Sequence, residues 1–195
     1  MLGTIGNLVA DSSQTTGLKW AAPAGGGSNW TSENPGGTAL TGAATITISG
    51  ISGKDKIMVL ISEASSANSS AYIGVRLNGV TSSSYYGYGI LNTGNSTYAA
   101  TNFANDAGTS TYIPVAQTSG NAGSQVSGYV LLTGCNASGV KVTQSVGGSN
   151  ANSDSGHKQL MLGGYFNSSD LITSVSLFSA SGNFDNGTVY VYTSA

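Results

Sequence analysis

Ionisable side chains are scarce in this sequence, and their scarcity limits the chemistry available to the protein. Charged residues make up 7% of the chain, against roughly a quarter in an ordinary soluble domain. Six Lys or Arg, eight Asp or Glu and one His are spread over 195 residues. General acid–base catalysis and metal binding both need ionisable groups close together. We therefore predict that the protein is not an enzyme and that it holds neither a cofactor nor a metal ion.

An excess of basic residues is also missing. The formal net charge is -2 and the isoelectric point is near 5.0, so the chain has no electrostatic attraction for nucleic acid or for an anionic membrane. Residues 1–10 contain neither a basic region nor a long apolar run, which argues against a secretory signal and a transmembrane helix. We expect no nucleic-acid partner, no membrane insertion, and synthesis in the cytoplasm.

The single cysteine excludes an intramolecular disulfide. Cys135 follows the apolar segment Leu131–Thr133, and no base or cation stands beside it in the sequence. A reactive thiol needs such a neighbour. We predict that Cys135 is a small buried hydrophobic residue and not a nucleophile.

Apolar residues with a helical period are lacking, and a period of two takes their place. Between Ala44 and Ser49, Ala and Ile alternate with Thr and Ser, as in a half-buried strand. About ten such strands without crossover helices predict an all-β fold, an antiparallel β-sandwich of jelly-roll type over residues 38–195. The further predicted strands are Lys56–Ser62, Ala71–Leu77, Val80–Ile90, Thr111–Ala116, Val126–Thr133, Val140–Val146, Gln159–Phe166, Leu171–Ser179 and Thr188–Thr193.

Residue pairs that contain glycine suggest where these strands turn. Asn78-Gly79 is the preferred pair for a tight type I′ hairpin turn, because both of its residues accept a positive φ. Ser138-Gly139, Gly147-Gly148 and Asn186-Gly187 are predicted as further turns.

Residues 1–37 show no sustained period, and Pro and Gly interrupt them repeatedly. We predict an extended amino-terminal arm. Leu18, Trp20 and Trp30 are large apolar residues that would anchor such an arm on a partner. The alternative is that both Trp side chains fold back on their own domain.

Two glycine-containing segments partly match nucleotide-binding motifs. Gly50–Asp55 has the wrong glycine spacing for a phosphate-binding loop and ends in Asp, so we interpret it as a turn. Gly87-Tyr88-Gly89 begins like a dinucleotide fingerprint, but Asn92 stands where the third Gly should be.

Candidate catalytic and metal-binding groups are isolated. His157, Ser155 and Asp154 lie in one polar loop, whereas the members of a catalytic triad normally converge from separate elements. Asn152, Asp154 and Ser155, or the segment Asn183–Asn186, offer one carboxylate per loop, which makes at best a weak calcium site. The sequence does not bring together two of the acids that a glycosidase would need, for example Glu33, Glu63 and Asp106.

A cluster of tyrosines is the most distinctive local feature. Tyr85, Tyr86 and Tyr88 follow one another closely, and Tyr offers an apolar ring with a polar tip, which suits contact with a sugar or with another protein. The alternative is that they are ordinary strand residues of a sandwich.

Strand edges are poorly protected, because the chain has three Pro and six Lys or Arg. We expect like subunits or a partner to cover the edges or apolar patches. A homotrimer or a similar closed ring would do so.

Three segments resemble proteins of tailed bacteriophages. The string ADSSQTTGLKWAAP at residues 10–23, followed by Gly25–Gly27, resembles a segment of phage fibre and virion surface proteins. FDNGTVYVY at 184–192 and AYIGVRLNG at 71–79 are similar to strands of phage β-sandwich domains. The resemblance implies a virion structural component with a jelly-roll domain, often trimeric, without catalytic residues.

Within that family, one arm and one domain favour a capsid decoration or cement protein over a long fibre. Such a protein would dock on the major capsid protein through its arm, stabilise the head shell and lie on the particle surface. The alternative is a receptor-binding module of a tail or head fibre that recognises a host surface polysaccharide through the tyrosines. A bacterial surface adhesin is a third alternative, and the missing export signal argues against it.

Overall fold

The computed structural model describes residues 7–10, 18–21, 29–68, 70–94, 98–105, 110–118, 123–150 and 158–195, with the backbone alone at 7–10, 18–21, 93–94 and 98–105. The chain divides into two compact units, Met1–Trp30 and Thr31–Ala195. In the first unit, strands β1 (Asn7–Ala10) and β2 (Leu18–Ala21) form an antiparallel pair. This strand pair lies within the predicted extended arm and was not expected from the sequence.

The second unit consists of strands joined by loops. Most of these strands alternate between buried and exposed side chains, which is the period of two seen in the sequence. They are β3 (Thr31–Ser32), β4 (Thr38–Ala39), β5 (Thr45–Ser49), β6 (Lys56–Ser66), β7 (Tyr72–Leu77), β8 (Tyr85–Gly94), β9 (Tyr98–Asn105), β10 (Ile113–Gln117), β11 (Val126–Thr133), β12 (Lys141–Ser149), β13 (Lys158–Phe166), β14 (Ser174–Ser179) and β15 (Phe184–Ser194).

These strands form two antiparallel sheets. The large sheet has the order β3-β15-β6-β11-β12-β13-β8-β9, with β4 also paired to β15, and the small sheet has the order β10-β7-β14-β5. Strand β10 packs against β11, β12 and β13. No helix occurs in the described ranges. The predicted all-β antiparallel sandwich is therefore confirmed, and its jelly-roll topology stays a prediction.

The core lies between the two sheets. Along β6, Ile57, Val59 and Ile61 are buried, whereas Met58 and Leu60 are on the opposite face. Burying one such aliphatic side chain contributes roughly 1.5–3 kcal/mol. The neighbouring strands add Val130, Leu132, Leu160, Leu162 and Phe166 from the large sheet and Val75, Leu77, Val175 and Leu177 from the small sheet.

Small residues on β12 let the small sheet come close to the large one. A Cβ placed on Gly147 would lie 2.5 Å from the carbonyl oxygen of Val115 on β10. The hydroxyl of Ser145 donates a hydrogen bond of 2.6 Å to the carbonyl of Pro114. The predicted turn at Gly147-Gly148 is therefore wrong, because these glycines lie inside β12 and Gly147 meets the backbone of β10.

The other predicted turns have different outcomes. Asn78 and Gly79 have φ values of 50° and 66°, and the N–H of Val80 donates to the carbonyl of Leu77. The turn does not make a hairpin, however, because β7 and β8 belong to different sheets. Ser138-Gly139 lies in the connection between the paired strands β11 and β12. The turn at Asn186-Gly187 is wrong, because the pair lies at a register shift inside β15.

Residues 31–39 join the edge of the large sheet. Strands β3 and β4 both pair with β15, and Asn34 bridges the gap between them. Its Nδ2 donates to the carbonyl of Val189 at 2.8 Å, and its Oδ1 accepts the N–H of Val191 at 2.7 Å. The predicted domain boundary after residue 37 thus falls within the second unit, since the side chain of Asn34 continues the hydrogen bonding of the sheet.

Candidate binding face

The large sheet has one face toward the core and one face away from it. We call the second the outer face and define it by three rows of register partners running across its strands. The first row is Tyr190, Leu60, Tyr129, Val146, Met161 and Ile90. The second is Tyr192, Met58, Leu131, Gln144, Gly163 and Tyr88. The third is Thr133, Val142, Tyr165 and Tyr86.

The outer face exposes large apolar side chains. Tyr88 is 65% exposed, Met161 60% and Val142 58%. Contiguous apolar surface of this kind marks interaction sites in soluble proteins. Among the residues with described side chains, the exposed large apolar residues of this face are Leu60, Tyr88, Ile90, Val142, Met161 and Tyr165, and those elsewhere are Val140 and Leu171.

Charge is absent from the three rows, whose residues are apolar, hydroxyl-bearing, amide-bearing or glycine. A molecule that docks on this face gains free energy mainly by burying apolar surface, at about 25 cal/mol per Å² before the costs of association are subtracted. Salt bridges do not contribute within these rows.

The predicted tyrosine cluster is divided between the two faces of β8. Tyr86 and Tyr88 lie on the outer face, where the ring of Tyr86 stacks on that of Tyr165 at 4.7 Å. Tyr85 is buried, and its ring lies 4.7 Å from that of Phe166. Contact with a partner therefore rests on Tyr86 and Tyr88. Strand alternation alone separates residue 85 from residues 86 and 88.

Tyr85 has a structural role in the core. Its hydroxyl accepts the N–H of Leu77 at 2.9 Å and donates to the carbonyl of Val80 at 3.1 Å. Burial raises the pKa of Tyr85 to about 12. The side chain ties β8 to the end of β7 in the other sheet.

A shallow hollow interrupts the outer face at Gly163. A Cβ built on this glycine meets no atom within 4 Å. Its register partner Tyr88, in contrast, carries a large exposed side chain. The hollow is about 260 Å³ in volume, and Ile90, Gln144 and Met161 contribute to its walls. The sequence did not predict Met161, Gln144 or Gly163 as site residues, because only the strand register shows that they share a face with Tyr88.

The predicted arm anchors are only partly described. Leu18 and Trp20 lie in β2, and their side chains are outside the described atoms. Trp30 is the last residue of the first unit and is half-buried. Their role in docking stays a prediction.

The candidate catalytic loop falls outside the described residues. His157, Ser155, Asp154 and Asn152 all lie there, as does Asp106. In the part of the chain that the structure describes, no three His, Cys, Asp or Glu side chains come together as a metal site would need.

The described acids have different surroundings. Glu33 accepts a hydrogen bond of 2.5 Å from the hydroxyl of Thr193. Glu63 is exposed, with a φ of 56°, and its N–H donates to the hydroxyl of Ser127 at 3.0 Å. Asp185 accepts a hydrogen bond from Ser65.

Cys135 is buried, as predicted. Burial raises the pKa of its thiol to about 12, the Asp55 carboxylate also raises it, and Lys141 lowers it. Burial thus keeps the thiol protonated at neutral pH, and the predicted burial of Cys135 is confirmed.

Lys141 is fully buried, and the sequence did not predict this. Its ammonium group donates to the carbonyls of Ala137 at 2.8 Å, Gly139 at 2.6 Å and Ser168 at 3.1 Å. The buried charge fixes the loop between β11 and β12 to the segment after β13.

Comparison with known proteins does not add a relative. No protein-family model, curated protein or solved structure matches the chain. None of the described residues form a helix with the length and apolar character needed to cross a membrane. The resemblance to phage virion surface proteins stays a prediction from the three sequence segments.

Proposed function

We propose that this protein is a non-enzymatic structural subunit that works by attachment to neighbouring molecules. The observation that carries the proposal is the outer face, whose three uncharged and largely apolar rows extend over β15, β6, β11, β12, β13 and β8. A face of this composition is typical of an interaction surface.

The surroundings of several ionisable groups support a structural role. The ammonium of Lys141 bonds three backbone carbonyls, the carboxylate of Glu33 holds the hydroxyl of Thr193, and the thiol of Cys135 is kept protonated by burial. Lys141 and Glu33 thereby stabilise local connections, and the thiol of Cys135 stays protonated although Asp55 and Lys141 act on its pKa.

The resemblance to virion proteins narrows the proposal. We propose a phage capsid decoration protein, made in the host cytoplasm and carried on the particle surface, that docks on the major capsid protein. Leu18, Trp20 and Trp30 would anchor the amino-terminal arm there. Copies of the chain would also associate with one another, for example as the predicted homotrimer.

Immunogold labelling of virions from the phage that encodes the chain tests this location. We expect label over the heads, and loss of label from virions whose copies carry Leu18→Ala and Trp20→Ala together. Leu171→Ala serves as the control, because Leu171 is exposed and lies off the outer face. Label confined to fibre tips would favour the receptor-binding alternative, and virions without label would contradict both.

The second candidate is a receptor-binding module that holds a host surface polysaccharide. The stacked rings of Tyr86 and Tyr165 beside the exposed Tyr88 favour it, because flat aromatic surfaces stack on sugars. Within the three rows, however, Gln144 is the only amide side chain, whereas specific sugar recognition also needs several polar partners. A glycan array probed with the native chain and with Tyr86→Ala tests it, and binding that Tyr86→Ala abolishes would support this candidate.

A further inference from the structure

We propose that the outer face is the surface through which two copies of this chain pair, face to face, about a two-fold axis near the centre of the sheet. The inference rests on the proposal that the protein works by attachment, and it names a second copy as the partner of this face. It holds whether or not the assembly is a virion.

Two outer faces match each other in charge and polarity. The three rows carry no charge, so a charged partner surface would lose hydration without finding a counter-ion. A second outer face is uncharged and apolar in the same way. Among the described side chains, the exposed large apolar residues outside this face are Val140 and Leu171, which are too few to match it.

That match favours a pair. A two-fold interface joins the same patch on both subunits, whereas a ring of three needs two different complementary patches. The described part of the chain offers one extended apolar patch, the outer face. A dimer therefore takes the place of the predicted homotrimer as the proposed primary unit.

The area of the outer face determines how far the two copies must overlap. Two rows cover six strands about 4.8 Å apart and the third covers four, and the rows lie about 6.8 Å apart, so the face has a plan area of about 520 Å². Two such faces would bury about 1,000 Å², which is the bottom of the range for specific interfaces. Reaching that range requires nearly full overlap, so the axis must pass close to the centre, between β11 and β12.

This placement identifies the central residues. Gln144 and Val146 on β12 lie next to the axis with their partners Leu131 and Tyr129 on β11, and Met161 pairs with Val146 from the next strand. Central, desolvated positions dominate the energetics of an interface. A charge introduced there would be buried in both copies at once.

Sedimentation equilibrium of the purified full chain tests the inference. We expect a mass twice the 19.4 kDa of the chain at tens of micromolar, and a dissociation constant raised about tenfold or more by Met161→Lys. The matched control is Leu171→Lys, because Leu171 is also exposed but lies off the face. We expect it to leave the dissociation constant unchanged.

Cross-linking provides a second readout that does not depend on the lysine variant folding. In the single chain the new thiol of Gln144→Cys is exposed, whereas the native Cys135 is buried. A short bismaleimide should join two copies of Gln144→Cys and should fail to join copies of Leu171→Cys.

Three results would overturn the inference: a monomer at tens of micromolar, a trimer, or a dimer that Met161→Lys does not weaken and Gln144→Cys does not cross-link. A monomeric chain that still labels virion heads would end this inference and leave the proposed function standing. A dimeric chain that labels no virion would leave this inference standing and would contradict the proposed location on the virion.

Discussion

Tyr86 on β8 and Tyr165 on β13 are direct register partners whose rings stack at 4.7 Å with an interplanar angle of 6°. The pair lies on the outer face, where Val142 is the next partner of Tyr165. Cross-strand aromatic pairs stabilise an antiparallel sheet and help to fix its register. The pair thus fixes the alignment that sets Tyr88 opposite Gly163.

A double-mutant cycle measures this pair. We expect Tyr86→Ala and Tyr165→Ala to show a coupling free energy of about 0.5–1.5 kcal/mol in urea unfolding, because stacked aromatic pairs contribute this much beyond area burial. The cycle of Tyr86→Ala with Tyr192→Ala is the control, because β8 and β15 lie far apart in the sheet. Coupling no larger than in the control would contradict the stacking.

Two adjacent glycines should differ sharply in what they tolerate. A Cβ on Gly164 would lie 1.9 Å from the carbonyl oxygen of Tyr86, whereas a Cβ on Gly163 meets nothing within 4 Å. We expect Gly164→Ala to lower the free energy of unfolding by about 1–3 kcal/mol or more. Gly163→Ala should be neutral or slightly stabilising, since Ala costs less chain entropy than Gly. Urea unfolding compares the two, and equal effects would show that the strands are not this close.

Lys141 should be essential to local stability. Lys141→Met keeps the buried stem but removes the donor to the carbonyls of Ala137, Gly139 and Ser168. We expect a loss of about 1–3 kcal/mol in the free energy of unfolding, the cost of leaving buried polar groups unpaired. Lys56→Met at an exposed position is the control. If both variants unfold at the same urea concentration, the three hydrogen bonds do not contribute.

The buried thiol of Cys135 should make the free energy of unfolding depend on pH in the alkaline range. The pKa of its thiol is raised from 9.0 to about 12 in the folded chain by burial and by Asp55, with Lys141 opposing. Because the folded state holds the thiol proton more tightly than the unfolded state does, the protonated thiol contributes fully to the free energy of unfolding below pH 9. This contribution is lost as the pH rises toward 12.

Urea unfolding of the native chain and of Cys135→Ala at pH 7 to 10 measures this contribution. We expect the difference in stability between the two to narrow above pH 9. A difference that does not change with pH would contradict the protonated buried thiol. Folded protein should also resist thiol reagents at pH 8 and react once urea unfolds it.

Local sequence patterns predicted most of the strands of the second unit, and the structure confirms Val126–Thr133 with its predicted bounds. Alternation is local, so each strand carries its own signal. Strand β9 (Tyr98–Asn105) was missed, and Gly147-Gly148 was assigned to a turn. Glycine is required at position 147 because a Cβ there would meet the backbone of Val115, which is distant in sequence.

The binding face was less predictable than the strands. Tyr86 and Tyr88 were identified from the sequence, but Met161, Gln144 and Val142 joined them only through the order and register of β8, β13 and β12. Strand order depends on pairings between distant segments, and no motif marks them. Tyr85 was grouped with its neighbours because residue type, and not strand alternation, guided the choice.

Hydroxyl-radical footprinting of the assembled protein tests the central claim most directly, because it reads the exposure of each side chain whatever the partner is. We predict that Tyr88 and Met161, which are 65% and 60% exposed in the single chain, become strongly protected on assembly while Leu171 keeps its reactivity. If Tyr88 and Met161 react in the assembly as fast as they do in the dissociated chain, the outer face is not the attachment surface.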